Sequence, residues 1–318
     1  MNSVILSFGG SQTTIGNLIM GAVLALMILV MFLGGAKRIG NIAQALVPFA
    51  SVLYISLGIG VLIFRFHYLP EAFCMIFKGA FSPRSVTGGV LGSSFVALRT
   101  GVSRGVFTNE AGMGTAAIAH GAADVAHPVE QGLMGIIEVF LDTIVICTIT
   151  ALVILCSGVT IPYGQDVGAA LTSDAFSCIY GQWVRIPLTF SLCCFAIATI
   201  LGWGLYGGRC AQYLFGGNAW RIFAYLQCAA VILGAVLKTG TVWLLSEIVN
   251  GLMAIPNLIA IAGLSGELIR LTKDYKNKCG SKIAAGGTYE NFHQCKSMRA
   301  FSYEKVPSLG SKSKKAGN

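Results

Sequence analysis

The octapeptide FTNEAGMG, Phe107 to Gly114, lies in a Gly-rich, moderately apolar segment that runs from Ser82 to Ala126. Arg99, Arg104, Asn109 and Glu110 interrupt that segment. A plain helix facing lipid would not tolerate them, because each charge at mid-bilayer depth costs about 2.5–3.5 kcal/mol on insertion scales. Two half-helices that meet at an unwound, protein-lined point would hold them. Small residues, permissive glycines and paired polar groups are what such a break requires. The stretch therefore predicts a crossing whose helix is broken near 107–114.

The flanking sequence supplies the membrane. Hydrophobic residues make up 55% of the chain and charged residues 11%, about half the charged share of a soluble globular protein. Apolar runs long enough for the hydrocarbon core are Ile15 to Leu33, Ala45 to Phe64, Gly132 to Leu155, Ile186 to Leu214, Ile222 to Leu237 and Val242 to Leu264. All six are read as helices, since lipid offers no partner to an open strand edge. The fold class is an all-α polytopic membrane protein. A polar N-terminal segment (1–14) precedes a transmembrane domain (15–272) of about seven spans, the broken one included. A basic tail (273–318) is read as disordered.

Charge sets the expected orientation. Much of the formal +9 sits in the tail, in lysines such as Lys273, Lys276, Lys278 and Lys282. Span parity puts that tail on one side with Lys37, Arg38, Arg209 and Arg221, the cytoplasmic side by the positive-inside rule. The expected location is the cell (plasma or inner) membrane. The tail can touch anionic lipid heads. Nucleic acid is not expected as a partner, because the tail has no recognisable fold. Between Ser157 and Val184 a long polar segment, with Pro162, Gly164, Asp166 and Asp174, is read as short helices outside the membrane, lid or connector.

The cysteines carry no CxxC and no metal spacing, and the N-terminus lacks the basic start of a signal peptide. His120 and His127 are read as solvated helix-end residues, and no metal site is expected. Walker loop, nucleophile elbow and HExxH are all missing from the sequence. An intramembrane hydrolase built on Glu138 and Asp142 is disfavoured, since one helix without a second helix's partner makes no proton-sharing pair. The chain is not read as an enzyme.

The residues at the break suggest a chemistry. An amino acid carries a carboxylate and an ammonium, and neither enters lipid unpaired. Backbone N–H groups at a half-helix start suit the carboxylate. Freed carbonyls suit the ammonium or Na⁺. Glu138 and Asp142, four apart, share one helix face. They either line a polar cavity or pair internally with Arg99 or Arg104, and the pairing is the preferred reading. Glu110 is open to the same two readings.

The stretch Arg104 to Gly158, RGVFTNEAGMGTAAIAHGAADVAHPVEQGLMGIIEVFLDTIVICTITALVILCSG, resembles the signature region of the sodium:alanine (alanine/glycine:cation) symporter family. The block Phe195 to Gly216, FAIATILGWGLYGGRCAQYLFG, is similar to that family's later motif. The resemblance covers about Ile15 to Tyr275. It implies a partial LeuT-like inverted-repeat transporter fold lacking the first core helices, in which the first span here is the fourth core helix and the broken segment the sixth. It implies sodium-coupled symport of a small neutral amino acid, alanine or glycine, by alternating access, with Na⁺ as coupling ion and no organic cofactor. A chain without the first core helices could instead be an inactive, N-terminally truncated remnant. The resemblance points to Phe107, Thr108, Asn109, Gly112 and Met113 as substrate-lining residues, and Trp203 and Tyr206 either line the cavity with them or serve packing. Ala198 and Thr199 stand where the family shows Ser-Thr, a pair resembling hydroxyl ligands of a sodium site. Ala198, Gly204 and Gly208 depart from the residues common there.

Overall fold

The computed structural model describes residues 14–81, 91–162, 168–237 and 239–284. All regular structure among them is helical. In chain order the α-helices are α1 (Thr14–Leu33), α2 (Gly35–Phe64), α3 (Leu69–Phe81), α4 (Leu91–Thr108), α5 (Thr115–His120), α6 (Pro128–Val139), α7 (Thr148–Ser157), α8 (Ala169–Tyr180), α9 (Arg185–Phe215), α10 (Ala219–Val236) and α11 (Thr239–Ala284). A π-helical stretch, Phe140–Cys147, joins α6 to α7, so that 128–157 is one continuous rod. Among the described residues, six rods are long and apolar enough to cross a membrane: Thr14–Leu33, Arg38–Phe64, Pro128–Ser157, Gln182–Phe215, Ala219–Val236 and Gly240–Lys278. The protein is thus a multi-pass, all-α membrane protein.

The chain divides into two compact units, Met1–Ala122 with Ile137–Ala260, and Ala123–Ile136 with Ile261–Asn318. In the first, α1 packs along α10, while α9 packs on both α2 and α10. Two apolar cores follow from this. One gathers Tyr54, Val61, Ile149, Val153, Phe176 and Leu188 from α2, α7, α8 and α9. The other joins Ile28, Phe32, Leu201 and Ala224 from α1, α9 and α10. Outward faces stay apolar, with Leu26, Phe49, Ile63, Ile222 and Leu226 all exposed, as lipid contact requires.

Gly204 and Gly208, two of the departures in the later motif, have a packing cause. The rings of Phe32 and Trp220 occupy the space their side chains would take, and a Cβ at 208 would lie 2.5 Å from the Trp220 ring. The indole N–H of Trp220 donates to the Phe32 carbonyl at 3.4 Å. An acidic side chain at 208 has no room in this packing.

Within the polar segment expected to hold short helices, α8 buries Ala175 and Phe176 in the main core. Helix α3 follows the second span directly, through a short 3₁₀ turn. And α11 runs through the boundary expected at 272 to Ala284. Glu267–Arg270 (2.5 Å) and Asp274–Lys278 (2.7 Å) pair along its exposed side, the i,i+3 and i,i+4 contacts that hold a solvated helix together. The rest of the tail lies outside the described residues.

In the second unit His127 is buried, contrary to its reading as a solvated end residue. Pro128 opens α6, which leaves His127 at the cap position. Its Nδ1 accepts the Val129 N–H at 3.3 Å. Its Nε2 lies 3.6 Å from Asp274, and its ring packs on Tyr275 at 5.1 Å.

Candidate functional site

Helix α4 stops at Thr108 and α5 starts at Thr115, and the six residues between are not helical. The stop is a Schellman motif. The Ala111 N–H donates back to Val106 O (3.1 Å) and the Glu110 N–H to Phe107 O (3.3 Å). The left-handed position of that motif usually takes glycine; here it takes Glu110, at φ +49°. A second turn follows, with Gly112 at φ +76° and Gly114 at φ +81°. Side chains hold the arrangement. Thr115 Oγ1 donates to Glu110 Oε2 at 2.6 Å. The Thr143 hydroxyl donates to the Asn109 amide oxygen.

Helix α11 supplies the far wall. Asn257 Nδ2 donates to Gly112 O at 2.8 Å. The same amide leaves no space for a side chain at 114, where a Cβ would lie 2.6 Å from Asn257 Oδ1. One asparagine thus fixes both ends of the second turn.

Aromatic rings close the α4 end. Phe107 stacks on Trp203 (centroids 6.0 Å, planes 18° apart) and meets Trp243 edge-on at 5.3 Å. Trp203 in turn packs on Tyr206 at 6.1 Å. One turn back, the Arg104 guanidinium lies 3.6 Å over the Trp243 ring and 3.5 Å from Glu247.

These placements sort the expected residues. Phe107, Asn109, Gly112 and Trp203 come together around the break. Met113 is buried beside it, and Thr108 is exposed. Thr199 and Ala198 sit about one turn before Trp203 on α9, with Thr199 exposed and Ala198 half-buried. The expected pairing of Arg99 or Arg104 with Glu138 and Asp142 does not form. Arg104 pairs with Glu247, Glu138 lies 3.6 Å from His120, and Arg99 is exposed. The two acids differ in exposure: Glu138 is 71% exposed, while Asp142 has a buried oxygen with no hydrogen-bond partner among the described residues. The π-helical stretch begins between them, at Phe140.

Trp243, Glu247, Asn257 and Thr143 are additions that the sequence reading missed. Glu247 carried a usable signal, as a lone acid near the start of an apolar run. Asn257, next to Pro256 within that run, carried another.

The geometry is that of a polar, non-helical backbone segment flanked by aromatic and amide side chains, with Met113 buried and Ala111 exposed. A cavity of about 350 Å³ lined by Phe64, Arg65, Cys178, Ile179 and Tyr180 involves none of these residues. A model of the sodium:alanine symporter family matches residues 1–286. The chain belongs to that family. A sodium/alanine symporter of Methanococcus maripaludis, AgcS, is 40% identical over 263 residues, 81% of this chain and 56% of that protein. An uncharacterised transporter of Haemophilus influenzae is 38% identical over 260 residues, 81% and 57% of the two chains. A probable sodium/glutamine symporter of Bacillus subtilis, GlnT, is 37% identical over 276 residues, 86% and 56%. The chain spans just over half the length of these relatives.

Proposed function

We propose that the protein serves sodium-coupled symport of a small neutral amino acid, alanine or glycine, across the cell membrane by alternating access. The single observation that carries this reading is the interruption of the helix between Thr108 and Thr115, where polar backbone is held open by Glu110, Asn257 and two left-handed glycines. Membrane-depth backbone outside a helix is tolerated only where it is enclosed by protein or lines a cavity. Secondary transporters use such breaks to hold substrate and ion.

Each part of the break has a role in this reading. The eighteen-residue α4 ends at the break, and the carbonyls of its last turn carry the negative end of the helix dipole. They suit Na⁺, a hard cation that prefers oxygen ligands. Helix α5 is only six residues long, so substrate carboxylate binding at its start is not part of the proposal. Phe107, Trp203 and Trp243 form an apolar box for a small side chain, with Asn109, Gly112 and Met113 beside it. Thr199 offers one hydroxyl to a sodium ion; Ala198 offers none, which weakens a site there by one ligand. A LeuT-like core accommodates this arrangement, with the basic tail cytoplasmic.

Names among the relatives favour alanine, and one favours glutamine. The aromatic box favours the smaller side chain. The test is uptake of labelled alanine into proteoliposomes with and without an inward Na⁺ gradient. Accumulation that follows the gradient is expected, and uptake indifferent to Na⁺ removes the coupling.

A further inference from the structure

Arg104 is held in a way that its own ion pair does not explain. Trp243 covers one face of the guanidinium at 3.6 Å, which fixes the plane of the fork. Nη2 stands 3.5 Å from Glu247 Oε1, beyond the 2.7–3.2 Å of a good N–H···O bond. Nη1 is buried and has no hydrogen-bond partner among the described residues. An arginine offers five donors in a rigid plane that matches a carboxylate's two oxygens. Here one edge of that plane is committed loosely and another not at all. A buried charged donor without an acceptor is a standing demand for one.

The pair also offers two signs at once. Arg104 keeps a buried donor without an acceptor among the described residues, and Glu247 lies no nearer than 3.5 Å to its other nitrogen. An amino acid zwitterion presents the complementary signs. Its side chain would fall towards Phe107, which shares the Trp243 ring with Arg104. We propose that Arg104 binds the substrate's carboxylate and Glu247 faces its ammonium, so that this pair selects zwitterions at the α4 side of the break. The inference rests on the amino acid reading given above and assigns the groups that recognise the main-chain part of that substrate.

The test uses the full chain reconstituted in lipid nanodiscs, with binding of tritiated L-alanine in Na⁺ medium and competition by alaninamide, which lacks the carboxylate, and propionate, which lacks the ammonium. In the unsubstituted protein both competitors should be at least about tenfold weaker than alanine, roughly 1.4 kcal/mol. Arg104→Gln should weaken alanine by about tenfold and leave alaninamide unchanged, so that the preference between the two disappears. Arg104→Lys, which keeps the charge and loses the fork, should fall between. Glu247→Gln should erase the preference of alanine over propionate and leave that over alaninamide. Because the readout is a ratio within each variant, a loss of folded protein does not imitate it. Alanine binding with an unchanged ratio in Arg104→Gln overturns this inference alone. A failure of the unsubstituted protein to bind alanine in Na⁺ overturns the amino acid reading and the inference with it.

Discussion

Glu110 holds a left-handed backbone conformation, φ +49°, that a glycine would adopt at no steric cost and that costs other residues of order 1 kcal/mol. The carboxylate is what that cost retains, since it ties Thr115 to the end of α4. At Gly114 the constraint is tighter, because φ +81° and the crowding of Asn257 act together. Gly114→Ala should lower stability by about 1–3 kcal/mol, read as a fall in the thermal midpoint by fluorescence-detected size exclusion; an unchanged midpoint means the turn is slack. Asn257→Ala gives up the bond to Gly112 and should cost about 1 kcal/mol. The two substitutions should be non-additive in a double-mutant cycle, because they touch the same contact. The reason for Gly112 and Gly114 was legible as a need for backbone freedom. That Asn257 is the residue meeting them was not, since a contact across 145 residues leaves no periodic trace.

At the scale of the element, hydropathy found the rods but not the exposure of single side chains on them. Glu138 and Asp142 flank the start of the π-helical stretch and differ in exposure, which their spacing did not show. Helix ends showed the same limit. Apolar runs locate what lipid covers, and α11 continues beyond that cover to Ala284; at 1.5 Å per residue its 46 residues reach roughly 70 Å, about twice the hydrocarbon thickness. Single cysteines placed from 265 to 284 should therefore show labelling by a polar maleimide that rises and falls with a period near 3.6 residues. A flat, uniformly high profile would mean the extension is not helical.

For the whole molecule, composition alone carried the membrane assignment, because a chain 55% hydrophobic with exposed apolar faces on its outer helices has only lipid as a suitable solvent. Orientation rests on a modest charge bias, and the proposed inward tail predicts that a fluorescent protein fused after Asn318 lights up in cells, while alkaline phosphatase at the same point stays inactive. The reverse pattern inverts the topology. Tertiary contacts such as Arg104 on Trp243 lay beyond sequence reading, since which of several intramembrane charges meet is decided by helix rotation, and a rotation of one residue's phase exchanges partners.

The contact of Phe107 with two indoles, one stacked and one edge-on, gives the protein an optical probe of its own. Of four tryptophans, Trp203 and Trp243 touch the segment where ligand would arrive, while Trp220 is seated against Phe32 and Trp183 against Tyr180. Emission from the first two should change in colour or yield when a guest displaces Phe107, against a steady background from the others. Occupancy can then be followed in real time without attaching a dye.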